Sequence, residues 1–472
     1  MKSKLRYEYI LVVVLVVLAL TVRLHEIHYS LDGDEVFSVQ LASKQFAEVI
    51  SGSLRDKPHP PLQNLLLYLW MKAFGVSEAS ARSLSVLFSA AFLATSYPLF
   101  RRYLSPWLAL GVLSIVALSP FFVYYGQQAR PYALIAFLST ANVLAFLRVL
   151  QEPRERKRLA VWAVSCCVLL YAQYLAILLI AVQISVALFT LRSESWRIVA
   201  YASAGTVFIL PWFIAALSDS ISRGIDPSRH VAWMTPPTFV DLVRFYLSVF
   251  GETPVLRMHW LLVLLAALGA ASIRYRVLPR DVGARHLLLF LIAFGLPAVV
   301  YIVSISGPAS IFASRQLLQS TVAFVIVIGL CLTMLPRTLA AGFWLILLAW
   351  TAASLPTAFP HNTKPPWRDV ATKLDEQYAS MPVVAQERWV VRPLSYYRTS
   401  GSVRLWSDLG EKEKTGRLLF VCRKFQCSEV ETEPLQSRRS LVANWRWGSA
   451  RENGEFNQLF LYEIGRGNLG GI

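Results

Sequence analysis

The stretch from residue 107 to residue 149, WLALGVLSIVALSPFFVYYGQQARPYALIAFLSTANVLAFLRV, decides the fold. Two apolar runs, 107–124 and 131–149, are separated only by a short turn that contains the polar residues 126–130, GQQAR. A helix that crosses a bilayer needs about 20 predominantly apolar residues. Two such runs joined by so short a turn predict a pair of membrane-spanning helices.

Similar apolar runs extend from this pair toward both ends of the chain. The predicted spans are 8–24, 82–100, 107–124, 131–149, a hairpin within 160–191 that breaks near Gln173, 198–217, 259–273, 287–305, 317–335 and 339–356. The first run is long for a signal-peptide core and no small-residue cleavage site follows it, so we expect a retained helix. The fold class is therefore an all-α polytopic membrane bundle of about eleven helices.

Composition agrees with a membrane bundle. The chain has 472 residues, of which 55% are hydrophobic and 16% charged, whereas soluble domains carry about 25% charged residues. The net charge of +17 would also suit a nucleic-acid-binding protein. Most Lys and Arg residues lie between the apolar runs, however, where membrane orientation explains them. We therefore expect a lipid bilayer and no nucleic acid as a partner.

The positive-inside rule predicts a cytoplasmic N-terminus, because the loops that then face the cytoplasm all carry Lys or Arg. The external segments become 25–80, 125–130, 218–258, 306–316 and 357–472. Within the first of them, the apolar stretch 60–74 is too short to cross and 36–50 has helical spacing with a polar face, so both are expected at the outer interface. This arrangement suits a multi-pass protein of a bacterial plasma membrane.

Two domains are predicted, a transmembrane module over 1–356 and an extracytoplasmic α/β domain over 357–472. After Pro360 an amphipathic helix is expected over Trp367–Tyr378. Short β-type runs follow at 382–385, 402–406, 417–422 and 458–463. Cys422 and Cys427 both lie in this domain and could form a disulfide outside the cytoplasm.

The first external segment holds an unusual group of acids, Asp32, Asp34 and Glu35, directly after the first span. One interpretation is a solvated turn in which Asp32 or Asp34 caps the helix that begins near Val36. The other is a functional site, because ionisable groups beside the hydrocarbon region are costly unless they serve a function.

Four motifs occur in order around these acids: the Asp-Glu pair at 34–35, the His-Pro-Pro-Leu run at 59–62, the Phe-Gly-Val-Ser-Glu run at 74–78 followed by Arg82, and Gln-Ala-Arg-Pro-Tyr at 128–132. Together they resemble the GT-C superfamily of integral-membrane glycosyltransferases. The resemblance is closer to the bacterial branch related to protein O-mannosyltransferases and aminoarabinose transferases, which is glycosyltransferase family 39-like. It covers most of the chain, and the first 150 residues match best.

The resemblance implies transfer of a sugar from a polyprenyl-phosphate donor to an acceptor hydroxyl on the outer face of the membrane. It also implies that Asp34 is the catalytic carboxylate. As a general base, Asp34 would take the proton of the acceptor hydroxyl while that oxygen attacks the anomeric carbon. Glu35 could be the nucleophile of a retaining route, but neighbouring residues at a helix start point apart. An orienting role for Glu35 and an inverting reaction are therefore favoured.

The remaining candidate site residues each have two interpretations. The leaving phosphate needs cations, and Arg130 and Arg315 are the predicted phosphate-binding residues, because guanidinium groups suit phosphate oxygens; both could instead be structural, Arg130 by snorkelling at a helix end. His59 could orient a substrate hydroxyl or cap a helix. Tyr132 could contact the donor or pack at the interface, and Arg82 could bind substrate or pair with Glu78.

The turn 126–130 departs from the pattern of the aminoarabinose transferases, which have an acid in this loop. Either Asp34 and Glu35 suffice, or another acid comes from 218–258, such as Asp219, Asp226 or Glu252. A metal-bridging site needs several oxygen ligands and has little support, so no cofactor is expected to be required.

Two other functions fit a polytopic protein. A secondary transporter would place its charged residues near the bilayer midplane, often within two related halves, but no internal repeat is visible. An inactive scaffold whose C-terminal domain binds a partner is the third possibility. The sequence identifies neither the sugar, hexose or pentose, nor the acceptor, which could be a protein, a lipid or a glycan.

Overall fold

The computed structural model describes residues 2–56, 59–224, 234–251, 283–414, 416–423, 427, 439–447 and 457–465. The predicted span 259–273 and the acids Asp226 and Glu252 lie outside the described residues. Residue contacts divide the chain into two compact units. Unit 1 comprises Met1–His25, Leu41–Gly75 and Ser80–Pro356, and unit 2 comprises Glu26–Gln40, Val76–Ala79 and Thr357–Ile472.

The described part of the chain is mostly helical. Its helices are α1 (Lys2–Leu24), α2 (Gly33–Ala42), α3 (Phe46–Ser53), α4 (Leu62–Phe74), α5 (Glu78–Phe100), α6 (Pro106–Leu118), α7 (Pro120–Gly126), α8 (Tyr132–Gln151), α9 (Arg156–Ala172), α10 (Ala176–Thr190), α11 (Ser195–Val207), α12 (Leu210–Ser222), α13 (Phe239–Leu247), α14 (Ala284–Phe290), α15 (Leu296–Ser306), α16 (Leu318–Thr333), α17 (Arg337–Ser354), α18 (Pro360–Thr363), α19 (Trp367–Gln377), α20 (Arg388–Tyr397) and α21 (Glu411–Lys414). A π-helical turn, Leu291–Gly295, joins α14 to α15.

The predicted helical membrane bundle is confirmed. Within the described residues, five helices are long and apolar enough to cross a membrane, or seven if each of two bent pairs is one span. The pair α6 and α7 is bent by 57° and the pair α11 and α12 by 46°. Pro120 and Pro211 begin the second helix of each pair, where a proline lacks the N–H that would continue the hydrogen-bond ladder. The expected total of eleven spans stays a prediction.

The break predicted near Gln173 is present, since α9 ends at Ala172 and α10 begins at Ala176. A buried polar network ties these two helices to α8. Asn142 donates to Ser165 Oγ at 2.9 Å and accepts from Gln183 Nε2 at 2.7 Å. The Oε1 atom of Gln183 in turn accepts from Trp162 Nε1 at 2.8 Å. In an apolar bundle such side-chain bonds fix which helix faces meet.

The first external segment forms short helices rather than a continuous one. The stretch predicted to be helical over 36–50 is divided between α2 and α3. The division occurs at Gln45, because Glu48 accepts the Gln45 backbone N–H and so begins a new helix with a capping box. The apolar stretch 60–74 forms α4, whose 13 residues are too few to cross a bilayer.

Unit 2 contains a five-stranded mixed sheet, as the α/β prediction requires. Its strands are β1 (Val383–Ala385), β2 (Val403–Leu405), β3 (Leu418–Arg423), β4 (Arg439–Trp447) and β5 (Asn457–Ile464), in the order β2-β1-β3-β5-β4. The strands β2, β1 and β3 are parallel, whereas β3–β5 and β5–β4 are antiparallel. The strand β4 and the helix α20 were not predicted.

Both faces of β3 are covered. Leu419 and Val421 pack in one core with Trp367 and Leu374 of α19, and Phe420 packs in a second core on the other face. A disulfide joins Cys422 to Cys427 at the end of this strand. A strand buried on both faces reads as a continuous apolar run, which is why the prediction over 417–422 was accurate.

The loop after α20 is fastened by Asp375 of α19. Its carboxylate accepts hydrogen bonds from Arg398 Nε at 2.9 Å, from the Thr399 backbone N–H at 2.6 Å and from Ser400 Oγ at 2.7 Å. Burial alone would raise the pKa of Asp375, but these bonds outweigh it and hold the pKa well below its usual range. The charged form is therefore favoured in the folded state.

We expect Asp375→Asn to lower the free energy of unfolding of unit 2 by about 1–3 kcal/mol, the loss typical of removing a charged hydrogen-bond acceptor. Glu376→Gln, which removes the same charge from the exposed neighbouring residue, is the control. Thermal unfolding of the purified full chain, followed by fluorescence, measures the difference.

The stabilisation from Asp375 has a defined pH dependence. Because the folded pKa is depressed, the stabilisation is fully present above the unfolded pKa, near 4, and is lost as pH falls toward the folded pKa. An equal effect of both variants at neutral pH would contradict this role for Asp375.

Candidate functional site

The three acids of the first external segment lie in unit 2 and have three different environments. Asp32 precedes α2, and its Oδ1 atom accepts from Trp367 Nε1 at 3.1 Å and from Arg423 Nη2 at 3.3 Å. Its side chain therefore does not serve as the expected cap of the helix. Asp32 is instead held by the α/β part of the unit.

Glu35 is buried and performs the capping. Its Oε2 atom accepts the Asp32 backbone N–H at 3.1 Å, which is the reverse half of a capping box at the start of α2. The same oxygen accepts from Nζ of Lys364 at 2.6 Å, and both side chains are almost completely buried. This buried ion pair, together with the backbone bond, fixes the start of α2.

Asp34 lies in the first turn of α2 and is half-buried. Its backbone carbonyl accepts from Ser38 Oγ at 3.3 Å. Within the described residues, no hydrogen bond or ion pair involves its carboxylate, in contrast to Asp32 and Glu35. The helix dipole favours a carboxylate at this position in the first turn.

Unit 1 holds a separate polar cluster, centred on Arg130. Nη1 and Nη2 of Arg130 donate to Oδ2 and Oδ1 of Asp56 at 3.2 and 3.4 Å, and both side chains are buried. The bidentate pairing fixes the plane of the guanidinium. Asp56 was not among the predicted site residues, although it lies only three residues before His59 in the same segment.

His59 and Tyr132 lie beside this ion pair. The His59 backbone N–H donates to the Asp56 carbonyl at 2.9 Å, and the His59 ring meets the Tyr132 ring edge-on, with centroids 6.0 Å apart. Burial and the nearby charge of Arg130 lower the pKa of His59 to about 3. His59 is therefore neutral at physiological pH, and its buried Nδ1 has no partner within the described residues.

The structure brings four of the seven predicted site residues together in unit 1. The positive charges of Arg130 and Arg315 both lower the pKa of His59, and the His59 ring contacts Tyr132. Arg315, which lies on the 3₁₀ turn Ser314–Gln316, therefore belongs to the same cluster. Arg82 is completely buried in α5. The Glu78 side chain pairs with Arg368 and accepts from Tyr397 at 3.0 Å.

Other acids considered from the sequence have different positions. Asp219 pairs with Arg223, one turn further along α12, at 2.8 Å. Asp56 is thus the acid that accompanies Arg130. In the parts of the chain that the structure describes, no group of three His, Cys, Asp or Glu side chains could hold a metal ion. That no cofactor is required stays a prediction.

A small apolar groove lies among the helices of unit 1. Its lining comes from α5, α8, α16 and the segment that joins α14 to α15, and is mostly aliphatic, with Val143, Ile292 and Val322 as examples. Gln319, near the start of α16, is one of the few polar groups along it. The groove therefore suits a hydrocarbon chain better than a polar ligand.

Comparisons with known proteins agree with this architecture. The family model for dolichyl-phosphate-mannose-protein mannosyltransferase matches residues 58–218, while no curated protein sequence matches the chain. The structure of ArnT from Cupriavidus metallidurans in the apo state superposes with a TM-score of 0.59 at 14% identity, over 95% of this chain and 97% of that protein. The structure bound to undecaprenyl phosphate gives 0.57 at 15% identity, with the same coverage.

A more distant similarity extends to the archaeal oligosaccharyltransferase AglB from Archaeoglobus fulgidus, in complex with an inhibitory peptide and a dolichol-phosphate. The TM-score is 0.53 at 10% identity, over 99% of this chain and 75% of that protein. The resemblance to GT-C glycosyltransferases is therefore confirmed for the fold of the chain and, over residues 58–218, for the sequence pattern of the mannosyltransferase family.

Proposed function

We propose that this protein is a membrane glycosyltransferase that moves a sugar from a polyprenyl-phosphate donor to an acceptor hydroxyl, with Asp34 as the base. The observation that carries the proposal is the contrast among the three acids of unit 2. Asp32 and Glu35 are engaged by Trp367, Arg423 and Lys364, and Asp34 is left for a ligand. Asp34 is thus the acid with the freedom to exchange a proton with a substrate.

The proposed reaction is a single inverting displacement. Asp34 takes the proton of the acceptor hydroxyl while the hydroxyl oxygen bonds to the anomeric carbon. At the same time the bond between the anomeric carbon and the phosphate oxygen breaks. The electron pair leaves with the polyprenyl phosphate. Glu35 is buried, and its Oε2 atom is held by Lys364 and by the backbone of Asp32, which favours an orienting role over that of the nucleophile of a retaining route.

The cationic cluster of unit 1 is proposed to bind the donor phosphate. Arg130 and Arg315 would stabilise the negative charge that grows on the phosphate oxygens as the bond breaks. Asp56 holds the Arg130 guanidinium in one plane, and neutral His59 adds no charge while offering a hydrogen-bonding ring nitrogen for a sugar hydroxyl. Tyr132 and Arg82 keep their proposed substrate-binding roles, with packing as the alternative.

The lipid portion of the donor has a matching feature in the apolar groove of unit 1. A polyprenyl chain is a long hydrocarbon, and the aliphatic lining of the groove would cover it. The ArnT structure contains undecaprenyl phosphate and the AglB structure a dolichol-phosphate, so proteins of this fold bind ligands of this chemistry. Those structures support a polyprenyl phosphate donor for this chain.

The proposed location is the plasma membrane of a bacterium, with the N-terminus in the cytoplasm and unit 2 outside. The Cys422–Cys427 disulfide supports an external position for unit 2, since disulfides persist in oxidising compartments. The transporter alternative predicts uptake or efflux instead of sugar transfer, so an assay for transfer separates the two.

We expect Asp34→Asn to reduce sugar transfer by about 10²–10⁴-fold, the usual effect of losing a general base. The assay incubates the protein in nanodiscs with a panel of polyprenyl-phosphate sugars and measures the polyprenyl phosphate released. Asp219→Asn, which removes a carboxylate that pairs with Arg223 in α12, is the matched control. Full activity of Asp34→Asn with normal expression would exclude the proposed mechanism.

We expect Arg130→Lys to raise the KM for the donor by about 10–100-fold, because lysine keeps the charge but loses the bidentate geometry. The kinetic assay varies donor concentration at a fixed acceptor concentration. Arg223→Lys, in an exposed ion pair, is the control variant. An unchanged donor KM in a folded Arg130→Lys protein would argue against phosphate binding at this residue.

A further inference from the structure

An exposed tryptophan stands out in unit 2. Trp389, in the first turn of α20, is 49% exposed. It is the only Phe, Tyr or Trp of unit 2 that is more than about a third exposed within the described residues. The other exposed large apolar side chains described in this unit are aliphatic, Val76 and Leu441.

Trp389 is packed against the start of α2, the helix that carries Asp34. A Cβ atom placed on Gly33 would lie 3.5 Å from Cε3 of the indole and 3.6 Å from the Trp389 carbonyl oxygen. One turn further along both helices, the Arg392 guanidinium lies over the Phe37 ring at 5.2 Å. The helices α20 and α2 are therefore neighbours, and the indole touches the residue that directly precedes Asp34.

An exposed indole in contact with the residue that precedes Asp34 offers a particular kind of surface. About half of this large apolar side chain stays in water, so the folded protein lacks part of the stabilisation that full burial of the indole would contribute. The face of the ring carries partial negative charge, and the C–H bonds on one face of a sugar ring carry partial positive charge, so the two attract. A carboxylate such as that of Asp34 can accept a hydrogen bond from a sugar hydroxyl.

The secondary structure around Asp34 argues against a polypeptide acceptor. Extended peptides are commonly bound by adding a strand to a free sheet edge. The elements at Asp34 and Trp389 are helices, whose backbone groups are satisfied internally apart from their first and last turns. A sugar ring needs no backbone partner, since it binds through its apolar face and its hydroxyls.

We propose that Trp389 is an acceptor-binding residue and that the acceptor is a saccharide, whose ring stacks on the indole while one hydroxyl reaches Asp34. This inference rests on the proposed function, since it takes Asp34 as the base. It deepens that function by placing the acceptor among glycans and glycolipids rather than serine or threonine side chains. Arg392, one turn further along α20, adds a guanidinium near the same surface.

The first test measures binding without turnover. The full chain is labelled with 5-fluorotryptophan and placed in nanodiscs, because glycoside detergents would themselves occupy a sugar site. The chain has 14 tryptophans, so the signal that disappears in Trp389→Phe identifies residue 389. Methyl glycosides of several hexoses and pentoses are then titrated, with N-acetylserine amide as the peptide probe.

We expect at least one methyl glycoside to shift the Trp389 signal saturably, while the signals of buried Trp367 and Trp406 stay in place. The Asp34→Asn protein should show the same shift, because the indole is intact. No shift with any glycoside, or a shift with the serine amide alone, overturns the proposal. Broadening of the signal by spin-labelled lipid, without a response to glycosides, would identify Trp389 as a membrane-interface residue and also overturn it.

The second test is kinetic and uses the glycosides that shift the signal. We expect Trp389→Ala to raise the acceptor KM by about 10-fold, as for loss of one aromatic contact, with kcat and the donor KM unchanged. Trp389→Tyr should recover most of the affinity, and Leu441→Ala, an exposed residue on β4, is the control. A change in donor KM instead of acceptor KM would overturn the assignment to the acceptor.

The two proposals fail separately. If Asp34→Asn retains full transfer while glycosides still shift the Trp389 signal, the base assignment is wrong and the saccharide site stands. If transfer depends on Asp34 and no glycoside is bound, the glycosyltransferase assignment stands and the acceptor class is wrong.

Discussion

The buried ion pair between Glu35 and Lys364 is the constraint on which the rest of unit 2 depends. Two opposite charges almost completely removed from water require each other, because loss of either partner leaves an uncompensated charge that costs roughly 3–5 kcal/mol. Glu35 also accepts the backbone N–H of Asp32 and so begins α2. The position of Asp34, one residue earlier, follows from that helix start. The role proposed for Asp34 thus depends on the fixed positions of Asp32 and Glu35.

A comparable division of roles exists in unit 1. Asp56 fixes the plane of Arg130, and the same burial that strengthens this pair keeps His59 uncharged. A site for a phosphate benefits from both properties, since a fixed guanidinium loses little freedom on binding and a neutral imidazole can accept or donate a hydrogen bond. In unit 2, Glu35 fixes the helix start that carries Asp34, the proposed base. In unit 1, Asp56 fixes Arg130, the proposed phosphate-binding residue.

Hydropathy predicted the membrane helices well because the bilayer imposes length and apolarity directly on the sequence. It also located the break at Gln173 and the strand β3, Leu418–Arg423. The strand β4 was missed because its exposed face carries polar residues such as Arg446 and Asn444, so no apolar run is visible. The partners Lys364 and Asp56 were missed because ion pairs between distant segments leave no local pattern. The order of motifs pointed to Asp34 and Arg130 as candidates, and the fold showed that Asp56 holds Arg130.

The separation of 329 residues between Glu35 and Lys364 has a consequence for biosynthesis. The acidic segment emerges with the first helix, but its partner is made only near the end of the chain. At about 5–20 residues per second, the interval is on the order of tens of seconds, during which Asp32 and Glu35 lack their partners. A nascent or interrupted chain that lacks Lys364 therefore contains the acidic motif at residues 32–35 without the ion pair that fixes its position. The ion pair that holds the start of α2 can therefore form only after the segment that contains Lys364 has been made.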